Sequence, residues 1–173
     1  MNPARIVSGG QAGADRAALD WAIAHRIAHG GWCPSGRLAE DGRIHDRYQL
    51  VEVPEGGGYR RRTKANVRDS DATLLITIDP VLTGGSKETA LFAKRLAKPW
   101  LHVHPESAWR NELTQWLGTH PIETLNVAGP RLSRSPEVVA FTWMVLDAVL
   151  EIMVATTACE PQGSGEHIVK SDL

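Results

Sequence analysis

The sequence predicts an α/β domain with an open, mainly parallel sheet and helices on both faces. Three observations carry this. Short apolar runs alternate with helical stretches along the chain. The loops after those runs are rich in glycine, serine and threonine. The length, 173 residues, suits one domain with a full core.

The elements follow in order. Residues 4–8 read as a strand that runs into SGGQAGAD. A helix over 14–27 presents Ala17, Ala18, Leu19, Trp21, Ala22 and Ile23. A short strand is expected at 28–33, then a polar loop at 34–48. Leu50–Val53 reads as a strand that stops at Pro54 and Gly56-Gly57-Gly58. A helix at 59–69, a strand at 73–78, a loop at 79–86 and a helix at 87–97 come next. A strand at 100–104, a helix at 107–118, a strand at 124–127, a loop at 128–135 and a helix at 136–153 close a single domain over 1–154. Residues 155–173 hold Pro161 and Gly163-Ser164-Gly165 without periodicity and read as a flexible tail.

Composition narrows the function. A net charge of −1 creates no global field toward nucleic acid or membrane. The basic run Arg60, Arg61, Arg62, Lys64 and Arg68 is too narrow for a nucleic-acid surface and reads as a solvated face. The last helix is apolar, but Asp147 and Glu151 fall on one face at i,i+4, which favours packing on the sheet or another subunit over a membrane span. Cys33 and Cys159 cannot build a disulfide framework or a four-ligand metal site, and no apolar leader opens the chain, so a cytoplasmic protein is expected. Cys33 has no adjacent base and reads as a buried thiol. His102 and His104 share a strand face without a third ligand at a familiar spacing, so no metal site is expected. The tryptophans read as core and subunit contacts.

Ligands of open parallel sheets bind outside the carboxyl ends of the strands. The loops there carry the candidate site. In the first, Gly9, Gly10, Gln11 and Gly13 lead into a helix whose first amides lack intrahelical acceptors, an arrangement that suits phosphate. Arg16 adds a charge-assisted contact, and Asp15 either stabilises the helix start or receives a hydroxyl or a metal-bound water. In the second, Thr83, Gly84, Gly85 and Ser86 precede a helix, with Ser86 as its cap and Thr89 three residues on. In the third, Gly129, Arg131, Ser133 and Arg134 precede Ser135 at the N-cap, Pro136 at N1 and Glu137 at N2. Two more stretches contribute. Arg37, Glu40 and Asp41 lie in the loop 34–48, where paired acids suit a sugar diol, a metal or acid/base work. Arg62 and Asn66 sit at i,i+4 and face one ligand.

Taken together, SGGQAGADRAALD, HGGWCPSGRLAEDGRI, RTKANVRDSDATLL, LTGGSKETA and LNVAGPRLSRSP resemble, in order, the molybdenum carrier protein family. That family is a branch of the Rossmann-like superfamily that includes the lysine-decarboxylase-like cytokinin-activating proteins. The resemblance covers about residues 4–150. It implies a Rossmann-like fold, a homo-oligomer, and a nucleotide or nucleotide-like ligand, with molybdenum cofactor or a related phosphorylated pterin among the candidates. Ala12 stands where the family usually has threonine, which removes a hydroxyl from the first turn. The enzymatic relatives split nucleoside monophosphates into base and ribose phosphate and carry PGGxGTxxE. Here Gly84 and Gly85 match the pair, Lys87 replaces the third glycine, and Leu91, Phe92 and Ala93 supply no glutamate.

The expectation is therefore a binding protein for a phosphorylated, nucleotide-like small molecule, as carrier or store. The alternatives are an N-glycosidic nucleotide hydrolase using Glu40, Asp41 or Glu88, and an oligomeric scaffold.

Overall fold

The computed structural model describes residues 3–158. Its centre is a five-stranded parallel sheet built from β1 (Arg5–Val7), β2 (Ala28–Gly30), β7 (Ala72–Ile76), β8 (Trp100–Val103) and β9 (Thr124–Ala128). The strand order is β2-β1-β9-β7-β8, and every pairing is parallel. Between β2 and the next helix lie two small ribbons. β3 (Trp32–Cys33) pairs in parallel with β6 (Val51–Glu52), and β4 (Leu38–Ala39) pairs antiparallel with β5 (Gly42–Arg43).

This order explains the chain's topology. If β9 is transferred from the end of the chain to its beginning, the order becomes 3-2-1-4-5, that of the doubly wound sheets. β1 leads through α1 (Ala14–Ala24) to one edge, and β7 leads through α3 (Gly84–Arg95) to the other. Right-handed crossovers running in opposite directions place their helices on opposite faces. α1 packs with α5 (Val138–Ala158) and α5 with α4 (Trp109–Thr119), while α3 packs with α2 (Tyr59–Arg68).

The core follows the pleat. Ala72, Leu74 and Ile76 of β7 point to the face of α1, α4 and α5, joining Trp21, Leu113, Trp116 and Val145. The indole of Trp109 meets Phe141 edge-on, with ring centroids 5.7 Å apart. Trp21 is buried, and its indole N–H donates to Asp147 Oδ1 at 2.7 Å, pinning α1 to α5. On the other face Val67, Phe92 and Ala93 pack together. A third cluster of Leu19, Cys33, Ile44, Tyr48 and Leu50 anchors the 34–50 segment. Cys33 is buried there, and burial pushes its thiol up.

Several boundaries depart from expectation. The strand expected at 28–33 is broken at Gly31, whose backbone sits at φ +123° and whose Cβ would stand 2.3 Å from Ser8 O. The segment read as a plain loop at 34–48 contains the β4–β5 hairpin. α3 begins at Gly84, ahead of the expected 87. α5 begins at Val138, because Ser135-Pro136-Glu137 forms a turn before it, and it continues through 155–158. The rest of the expected tail, 159–173, lies outside the described residues.

α5 is the one described helix long and apolar enough to cross a membrane, over Val138–Ala155. It packs against α1, α4 and β7, with Asp147 and Glu151 on its exposed stripe.

Candidate functional site

The loops after β1, β7 and β9 meet where the chain leaves the sheet in opposite directions, and a cavity of about 760 Å³ opens there. The α3 N-terminus forms one wall. Thr83 is extended and occupies the N-cap position without a side-chain cap bond. Gly84 follows at φ +51°, a backbone state that glycine enters without penalty. The first bond from Thr83 O goes to Lys87 N–H at 3.3 Å. The amides of Gly84, Gly85 and Ser86 thus lie ahead of the helical ladder, and all three residues line the cavity. Ser86 is buried in the first turn and does not cap the helix.

Two arginines from the β9 loop complete this wall. A Cβ on Gly84 would lie 3.3 Å from Arg134 Nη1, so this guanidinium reaches over the helix start. Arg131 sits over the Tyr59 ring, 4.9 Å from its centroid. Among the described residues, neither arginine has a carboxylate within ion-pair distance. Amides ahead of the helical ladder, the positive end of the helix dipole and two arginines without an ion-paired carboxylate among the described residues favour an anion.

The glycine turn after β1 is built differently. Ala14 N–H donates to Pro130 O at 3.3 Å and Arg16 N–H to Gln11 O at 3.1 Å. Leu132 N–H donates to Ala12 O at 2.9 Å, and Gly13 bridges Arg131. The turn is therefore zipped onto the β9 loop, with these amides satisfied by protein carbonyls. Its glycines make room for neighbouring protein atoms. A Cβ on Gly9 would stand 1.6 Å from Arg62 Nη1, one on Gly10 2.6 Å from Leu50 Cδ1, and one on Gly13 2.4 Å from Pro130 O. All three lie outside the cavity lining, as does the buried Ala12, so the missing threonine hydroxyl removes nothing from the wall.

The other candidates divide sharply. Gln11, Asp15, Arg62, Thr83 and Thr89 line the cavity, together with Gly129, Ser133, Ser135 and Glu88. Arg16, Arg37, Asp41 and Asn66 do not, because each is committed elsewhere. Arg16 pairs with both oxygens of Asp41 and donates to Gly10 O at 3.2 Å. That pairing holds the Asp41 carboxyl below its usual range. Arg37 is buried and donates to the carbonyls of Ile44, His45, Tyr48 and Leu50, which fixes the 34–50 segment. Asn66 closes a two-bond clamp on the Trp32 backbone, at 2.8 and 3.0 Å.

Glu40 also stands outside the wall and ties the hairpin to the β9 loop. Its Oε2 accepts Ser133 O–H at 2.6 Å and its Oε1 accepts Ser133 N–H at 3.0 Å. The hydroxyl bond first, and the amide bond after it, hold this carboxyl below its ordinary 4.5. A lowered folded value makes the tie fully effective above pH 4.5 and weakens it as pH falls through the folded value. We expect the Ser133 amide resonance to titrate with a midpoint below 4.5, and Ser133→Ala to bring the Glu40 midpoint back toward that value, both read by NMR titration. Glu88 faces the cavity but bonds Arg60 Nε at 2.7 Å.

Tyr59, Thr77 and Asp79 line the cavity without having been singled out from sequence. The Thr77 hydroxyl donates to Asp79 O at 2.6 Å, so it accepts from His102 Nε2 at 2.7 Å, which assigns the proton of a neutral His102 to Nε2. Burial holds His102 below its ordinary value, consistent with the neutral ring. The cavity lining contains no tryptophan. Among the described residues no group of three His, Cys, Asp or Glu could hold a metal ion.

A parallel sheet in permuted doubly wound order, with a polar cavity at its switch point, defines a Rossmann-like α/β domain. The chain belongs to the circularly permutated YpsA SLOG family, whose model matches residues 6–150. Its sheet shows the permutation directly, since β9 occupies the central place of a first strand. Among solved structures, it is similar to the crystal structure of "Putative molybdenum carrier protein" from Syntrophus aciditrophicus SB. The two are 44% identical with a TM-score of 0.77, over 89% of this chain and 98% of that one. None of the curated proteins matches.

Proposed function

We propose that this protein binds a phosphorylated, nucleotide-like small molecule, with its anionic group seated at the N-terminus of α3 between Arg131 and Arg134. The observation that carries this reading is the convergence of the Gly84–Ser86 amides with two arginines that lack carboxylate partners among the described residues. The name of the structural neighbour mentions molybdenum, and molybdenum cofactor, a phosphorylated pterin, is one cargo of the proposed class that carries it. The amide cradle and arginines fit its phosphate as they fit that of a nucleotide.

Binding without hydrolysis is the preferred reading. Glu40 is tied to Ser133 and Asp41 to Arg16, both outside the cavity wall, and Glu88 is paired with Arg60. The test is mass spectrometry, with elemental analysis, of small molecules released on denaturing protein purified with no ligand added. A phosphorylated heterocycle in stoichiometric amount is the expected result. A protein that retains none, and takes up no nucleotide or pterin at millimolar concentration, would overturn the proposal.

A further inference from the structure

We infer that Gln11 and Asp15 read hydroxyl groups on the ligand, so that the cavity selects a polyol phosphate, as a ribonucleotide is, over its deoxygenated counterpart. This inference rests on the anion-binding reading and extends it to the cavity residues of the β1 loop. Gln11 is 5% exposed and lines the cavity. Its amide orientation is settled by two backbone donors. Oε1 accepts from Ala12 N–H at 3.1 Å and from Glu40 N–H at 2.8 Å. The amino group therefore takes the other side, and Nε2 is buried without a partner. Such a donor destabilises the folded protein until something accepts from it.

Asp15 supplies the complement. Its side chain is 4% exposed, and Oδ2 accepts from Arg62 Nη1 at 2.7 Å. Among the described residues Oδ1 has no hydrogen bond. These cavity-lining residues thus offer unpaired donors, Gln11 Nε2 and the Nε of Arg62, beside an unpaired acceptor on Asp15. A phosphate oxygen accepts from Gln11 but repels Asp15. An ammonium group donates to Asp15 but cannot accept from Gln11. A hydroxyl does both, and a vicinal diol serves each group with its own oxygen. A cavity of about 760 Å³ also has room for an organic ester, not merely a bare oxyanion.

The experiment compares adenosine 5′-monophosphate with its 2′,3′-dideoxy analogue on the full chain by calorimetry. The two share base and phosphate and differ only in the diol. The analogue is expected to bind at least about tenfold more weakly, because it leaves both protein groups unpaired. Asp15→Asn keeps the side-chain shape and should shrink that ratio toward one by weakening the ribonucleotide alone. A purely structural role would weaken both ligands equally and leave the ratio intact, which would overturn the inference. If Asp15→Asn does not fold, the wild-type ratio decides by itself. Equal binding of the two ligands overturns the inference and leaves the anion site standing. Binding of neither at millimolar concentration overturns the anion reading, and the inference falls with it.

Discussion

Replacing Arg131 and Arg134 together by alanine should weaken binding of adenosine 5′-monophosphate by about a hundredfold or more. Each guanidinium contributes a charge-assisted hydrogen bond to the phosphate, at the low end of the roughly 1.5–3 kcal/mol range because both side chains are solvent-exposed. Two such contacts correspond to roughly two or more decades in Kd. The effect should grow as salt is lowered, since screening of the wild-type site diminishes. Both side chains are exposed and without carboxylate partners among the described residues, so stability should change by no more than about 0.5 kcal/mol. Calorimetry at two salt concentrations and a denaturant titration check both halves. A double variant that binds as tightly as wild type would remove the arginines from the site.

The second large effect concerns the fold. Gly13→Ala is expected to destabilise the protein by about 3 kcal/mol or more. Gly13 holds φ +115° and ψ −136°, a conformation that side chains resist. An added Cβ would also meet backbone on every side, at 2.4 Å from Pro130 O, 2.6 Å from Leu132 N and 2.9 Å from Arg131 C. None of these can rotate away. The loss should lower Tm by roughly 6–12 °C in a chain of this size. Gly42→Ala is the matched control. Its φ is +112°, but an added Cβ would meet nothing within 4 Å, so only the backbone strain remains. A loss of about 1 kcal/mol there, against the larger loss at Gly13, would separate strain from collision. Equal losses would contradict the close packing of the β1 turn on the β9 loop.

The strands β1, β7, β8 and β9 were legible because each is a short apolar run that ends in a loop, a pattern set by local chemistry, whereas the β4–β5 hairpin, with Gly42 and Arg43, carries no such run. The sheet order was not, since it depends on pairings far apart in sequence, such as β1 with β9. The start of α3 shows a different obstacle. Capping rules point to the hydroxyl of Ser86, whereas the helix starts from an extended Thr83 and a positive-φ Gly84. For Ser135 the hydroxyl signal likewise marks a turn before the helix.

The arginines are the hardest case. Arg16, Arg37, Arg62, Arg131 and Arg134 look equally able to hold an anion when read along the chain. Only long-range geometry separates them. Arg37 is satisfied by four backbone carbonyls, Arg16 is paired with Asp41 and Arg62 with Asp15, which leaves Arg131 and Arg134 as the arginines without an ion-paired carboxylate among the described residues. The first glycine turn misleads for the same reason. Its composition suits phosphate, yet Pro130 and Gln11 carbonyls already occupy two of its amides.

The central claim is that the anion sits on the α3 turn and not on the glycine turn after β1. The most direct measurement is an amide NMR titration of the isotope-labelled full chain with adenosine 5′-monophosphate. The account predicts large shifts at Gly84, Gly85 and Ser86, with small ones at Gly9, Gly10 and Gly13. Large shifts confined to Gly9, Gly10 and Gly13 would contradict it.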